Sequence, residues 1–115
     1  MSDILVRQGE IFKAQIAVQK ESLAVVVSCS EANAMRSVVT VCELREDAQG
    51  KYRGLPTVVE VSGGRTGLGQ EWIAIASPYT IPRNCLLSRE GNLPPQLYER
   101  LEEALRRVFG WAPWP

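Results

Sequence analysis

Trp72-Ile73-Ala74-Ile75-Ala76-Ser77-Pro78 is the stretch on which the fold turns. Gly67 and Gly69 stand before it, and Pro78 and Pro82 follow it. A short apolar run between turn residues reads as a strand buried on both faces. Ala74 and Ala76 alternate with Ile73 and Ile75, so one face admits close approach of another layer. This pattern predicts a strand in the middle of a sheet.

The rest of the chain supplies partners for that strand. Ile11, Lys13 and Gln15 alternate with Phe12, Ala14 and Ile16, the pattern of a half-buried first strand. Gln19 to Ser22 makes a polar turn. Leu23-Ala24-Val25-Val26-Val27-Ser28 is β-branched and continuous, the strongest strand signal in the chain. Ser30 to Met35 fits one or two helical turns with Ser30 as cap. Ser37 to Leu44 and Thr57 to Val61 are further strands, separated by a charged cluster at Glu43–Asp47 and a turn-rich loop. Cys85 to Arg89 is a short strand closed by Gly91.

The chain closes with an amphipathic helix. Pro94 and Pro95 suit its first turn, where no N–H is needed. Leu97, Leu101, Ala104, Leu105, Val108 and Phe109 fall on one face. Glu102–Arg106 and Glu103–Arg107 are favourably ordered pairs four apart. Trp111 and Trp114 beyond it either fold back on the core or mark a subunit contact. Sequential short strands and one closing helix predict a mainly β domain spanning 1–115, a small curled sheet or partly open barrel.

Composition bounds the chemistry. The 115 residues carry 13 basic and 13 acidic groups, so no global field selects a partner. The cations are ten Arg and three Lys, a balance that suits planar phosphate recognition and that codon usage also produces. The absence of His removes the commonest acid-base group, the commonest zinc ligand and every Ser-His or Cys-His pair. Cys29, Cys42 and Cys85 have neither disulfide-framework nor zinc spacing. Gly63-Gly64-Arg65-Thr66-Gly67-Leu68-Gly69 lacks the Gly-Lys-Ser/Thr ending of a phosphate loop and precedes a strand, so it reads as a plain connection. With no signal pattern and no apolar run of membrane length, the expectation is a cytoplasmic protein with no membrane contact.

The ordered set of segments resembles the MazF/PemK toxin family. Arg7-Gln8-Gly9-Glu10-Ile11 looks like its opening strand, Ala24 to Ser28 like its second, and Val38 to Leu44 like its third. Glu31-Ala32-Asn33 stands where an Asn-containing turn follows. Thr66-Gly67-Leu68, Trp72 to Ser77, Thr80-Ile81-Pro82, Leu87 to Leu93 and the final helix resemble the second half. Two departures concern the chemistry. Ser22-Leu23 stands where the family has Arg-Pro, and Glu43-Leu44-Arg45-Glu46 where it has a Pro-Leu-Thr-Ser-like segment.

The resemblance implies an SH3-like barrel with a C-terminal helix, working as a homodimer. It implies a toxin of a toxin–antitoxin system that cuts single-stranded RNA without metal or cofactor. Attack of a ribose 2′-OH on the adjacent phosphorus needs a base, an acid and a cation. Glu21 or Glu43 is the candidate base and Arg45 the candidate cation. Lys20, Ser22, Glu46, Tyr52 and Arg53 are candidate RNA contacts, with Tyr52, Trp72 and Tyr79 as aromatics that stack bases or pack as core or rim. The implied partners are single-stranded RNA and a cognate antitoxin, with operator DNA bound only as a complex with that antitoxin. The alternative is a barrel that has lost catalysis and binds a protein or nucleic acid. A gyrase-directed toxin of the same barrel class is a more distant reading.

Overall fold

The computed structural model of the protein describes residues 5–47, 49–62, 66–69 and 71–114. In chain order these are β1 (Glu10–Ala17), β2 (Lys20–Val26), α1 (Ser30–Met35), β3 (Val38–Glu46), β4 (Val58–Ser62), β5 (Glu71–Pro82), a 3-10 turn (Arg83–Cys85), β6 (Leu86–Asn92) and α2 (Pro95–Val108). The six strands form one sheet in the order β4-β5-β3-β2-β1-β6. Every neighbouring pair is antiparallel. Ile4 and the loop residues Gly63, Gly64 and Arg65 lie outside the described residues. Among the described residues, no helix is long and apolar enough to cross a membrane.

The sheet curls and buries both faces. One face packs Phe12, Ala14, Ala24, Val26, Val39, Val41 and Ile81 together. The other packs Ile11, Val25, Cys42, Leu44, Val61 and Ala74 against Leu97, Leu101 and Ala104 of α2. Alternate residues of β2 therefore enter different cores, which is why its sequence is continuously apolar rather than alternating. Ile11 is fully buried although it shares a face with Lys13, because Lys13 lies two positions nearer the open end of β1. Cys42 sits in the second core, and burial pushes its thiol up to about 12 against a hydrogen bond from the Ser77 backbone.

The strand expected at Trp72–Pro78 differs from expectation in place and length. β5 lies next to the edge, between β4 and β3, and runs through Pro78 to Pro82. Pro78 is tolerated because β4 pairs with β5 from Glu71 to Ile75, leaving that side of β5 open farther along. The pairing with β3 also slips between Cys42 and Leu44. Similarly, β6 passes through Gly91 and begins at Leu86, with Cys85 in the turn. A Cβ on Gly91 would collide with the Thr66 carbonyl, so the β4–β5 loop sits directly on β6.

Two local expectations are corrected. The β1–β2 turn is only Val18-Gln19, with Gln19 at φ +56°, and Lys20 to Ser22 belong to β2. Cys29, not Ser30, is the α1 cap residue, and it makes no side-chain capping bond. The segment is held instead by Asn33, whose Nδ2 donates to the Val6 and Ser28 carbonyls at 3.0 and 3.1 Å. In α2, Arg106 and Arg107 meet Glu102 and Glu103 at 3.0 and 2.7 Å, as their spacing requires. Val108 and Phe109 are 42% and 49% exposed, because the helix runs past the sheet it covers. Trp111 stacks at a tilt on Phe109, 5.1 Å between centroids, and does not return to the core; Trp114 is exposed.

Candidate active-site cleft

β2 begins where β3 ends, and the register brings their polar residues together. Ala24 lies opposite Glu43. Ser22 and Arg45, two positions along each strand, point to the same face. The small Ala24 leaves room for the Glu43 carboxylate, which is 3% exposed despite its charge. Three donors hold it. Ser22 Oγ donates to Oε2 at 2.9 Å, Arg45 Nε to Oε1 at 2.7 Å, and Lys20 Nζ stands 3.5 Å from Oε2.

This arrangement fixes the protonation states. Burial raises the Glu43 pKa, but the bonds from Arg45 and Ser22 and the charges of Arg45 and Lys20 outweigh it and hold the carboxyl below its ordinary value. The same hydrogen bond raises the Arg45 pKa. Glu43 is therefore a firmly ionised anchor and a poor proton acceptor. Arg45, with half its side chain in solvent, keeps its charge and its outer N–H groups free to face a ligand.

An open cleft of about 440 Å³ extends from this cluster. Lys13, Glu21, Leu23, Leu44, Glu46 and Trp72 complete its walls. Lys13 and Glu21 pair diagonally across β1 and β2 at 3.3 Å. Of the residues proposed from sequence, Lys20, Glu21, Ser22, Glu43, Arg45 and Glu46 come together here. Tyr52 and Arg53 lie on the β3–β4 loop outside the walls. Arg53 pairs with Glu60 of β4 at 3.3 Å, while Tyr52 and Tyr79 lie close enough to influence Arg45 electrostatically. Asp47 organises that loop, accepting from the Lys51 and Tyr52 amides at 2.8 and 3.2 Å. Lys13, Leu23 and Leu44 were missed as lining residues; the signal that finds them is strand register, which the sequence alone does not supply.

Ser22 and Arg45, the two residues that depart from the family pattern, are joined through Glu43.

No curated sequence matches the chain. Solved structures match throughout its length. An endoribonuclease in complex with its cognate antitoxin, from a mycobacterial species, is similar at 19% identity and TM-score 0.78, covering 96% of this chain and 99% of that one. The Mycobacterium tuberculosis toxin MazF-mt6 is 25% identical at TM-score 0.75, covering 91% and 99%. A MazE–MazF structure from Deinococcus radiodurans reaches TM-score 0.76 at 14% identity, covering 96% and 100%. The family model described as "PemK-like, MazF-like toxin of type II toxin-antitoxin system" matches residues 7–109, so the chain belongs to that family of toxins.

Proposed function

We propose that the cleft binds single-stranded RNA and cleaves it, making the protein the endoribonuclease toxin of its pair. The observation that carries this reading is the Glu43 cluster, a buried carboxylate presenting a fixed guanidinium at the mouth of an open cleft. Preorganised cations of this kind stabilise charge that develops in a transition state. In the reaction, the ribose 2′-oxygen bonds to phosphorus and the bond to the 5′-oxygen breaks. The products are a 2′,3′-cyclic phosphate and a 5′-hydroxyl. Arg45 carries the phosphorane charge, and Lys20 supports it. Glu43 positions Arg45 and Ser22, which leaves Glu21 as the group that takes the 2′-proton. The leaving oxygen takes a proton from solvent, since Arg45 holds its own.

The working unit in this reading is a homodimer, and a cognate antitoxin covers the cleft; the antitoxin complexes among the similar structures support an antitoxin partner. Such an antitoxin inserts a tail that folds on binding. Operator DNA is met only through that complex.

One observation favours a second reading. The cleft sets Lys13, Lys20 and Arg45 against Glu21, Glu43 and Glu46, so it offers no net positive field to a polyanion. A barrel that binds a protein segment without cutting RNA would tolerate that balance. Incubation of purified protein with long RNA in chelator, with every new 5′ end mapped, separates the two. Cuts at a short defined sequence support the nuclease; intact RNA supports the non-catalytic binder.

A further inference from the structure

The three donors on Glu43 are held unequally. Arg45 Nε is fixed on Oε1 at 2.7 Å and Ser22 Oγ on Oε2 at 2.9 Å. Lys20 Nζ stands 3.5 Å from Oε2, beyond ordinary hydrogen-bond length, and half its side chain is in solvent. An ammonium carries three N–H groups, and at most one of them faces Glu43, which leaves the others for a ligand. Lys20, Ser22 and Ala24 alternate onto one face of β2, and Ala24 lies opposite Glu43. The two cations therefore stand on the two oxygens of one carboxylate, close enough to flank a single phosphate. Their chemistry differs. A guanidinium keeps its proton, whereas an ammonium can release one. The chain has no His to act as the acid.

We propose that Lys20 is a catalytic residue whose ammonium donates the proton to the leaving 5′-oxygen, while Arg45 carries the phosphorane charge. This role rests on the reading of the cleft as an RNA-cleaving site, and it gives the route by which the solvent proton reaches the leaving group. As the 2′-oxygen bonds to phosphorus, the bond from phosphorus to the 5′-oxygen breaks. Its electron pair goes to that oxygen, which takes the proton from Nζ. The neutral amine then takes a proton from water. The proton lost by the 2′-hydroxyl balances the one gained by the 5′-oxygen, so no further reactant enters. The loose contact with Glu43 suits this exchange, because Nζ can follow the departing oxygen while Arg45 stays fixed.

The test compares two RNA substrates carrying the mapped cut site, one natural and one with sulfur in place of the bridging 5′-oxygen. A thiolate leaves without a proton, so the sulfur substrate does not need the acid. In single-turnover reactions of the whole protein, Lys20→Ala is expected to cut the natural substrate about a hundredfold more slowly than wild type. The same variant is expected to cut the sulfur substrate at the wild-type rate. Lys20→Arg keeps the charge without a transferable proton, and it is expected to show the same split. Arg45→Ala is expected to slow both substrates. Equal slowing of both substrates by Lys20→Ala overturns the role, as does an unchanged rate on the natural one. Full activity of Lys20→Arg on the natural substrate overturns it too. Lys20 is half-exposed at a strand end, and circular dichroism of both variants checks that the fold is intact. A wild type that cuts neither substrate defeats the RNA-cleavage reading itself, and this role with it.

Discussion

Glu43 shows how one residue's surroundings set its role. The same side chain in solvent would be an ordinary carboxylate; here Arg45, Ser22 and Lys20 keep it ionised inside the protein. Its pKa is held below the ordinary 4.5, so its stabilising contribution is complete above that pH and is lost as pH falls through the folded-state value. Glu43→Gln is expected to lower stability at pH 7 by about 2 kcal/mol, since it leaves Arg45 and Ser22 imperfectly partnered. Denaturant unfolding of both proteins from pH 7 to pH 3 should show the gap constant down to about 5 and closing below it. A gap that widens in acid contradicts the assignment. None of this is legible in the sequence. Glu43 looks like part of a solvated turn because its neighbours are Arg45, Glu46 and Asp47; the Ser22 hydroxyl that bonds it lies 21 residues away.

At the scale of elements, α2 is the best-specified part of the chain. Its apolar spacing, its proline start and its Glu–Arg pairs agree, and local consistency of that kind makes a helix readable. Its attachment to the sheet is what stabilises it. Leu101 is fully buried among the residues of the α2-facing core, and Tyr98 Oη donates to the Val27 carbonyl at 3.2 Å. Leu101→Ala is expected to lower the unfolding free energy by about 3 kcal/mol, whereas Glu102→Ala, which removes an exposed pair, should change it by less than about 0.5 kcal/mol. Comparable denaturant midpoints for the two variants would show that the helix is held otherwise. β5 was the harder element. Pro78 reads as a terminator, but a terminator acts only where its missing N–H is needed, and β4 has already ended there. Strand order is likewise silent in a linear sequence, and the both-faces-buried run expected in the middle of a sheet lies beside an edge.

Across the whole molecule, antiparallel pairing brings the start of β2 and the end of β3 to one cleft, with α2 covering the sheet elsewhere. The meeting of those two strand ends was legible from the order of segments and their resemblance to MazF/PemK toxins. The joining of Ser22 and Arg45 through Glu43 was not, because two residues far apart in sequence meet only when the register is known. In the proposed reaction Arg45, anchored by Glu43, supplies the charge for cutting RNA. The direct measurement is the single-turnover cleavage rate of a short RNA carrying the mapped cut site, in chelator, for wild type and Arg45→Ala. The expected rate for Arg45→Ala is lower by about a hundredfold or more with the fold intact; equal rates would contradict the proposed role.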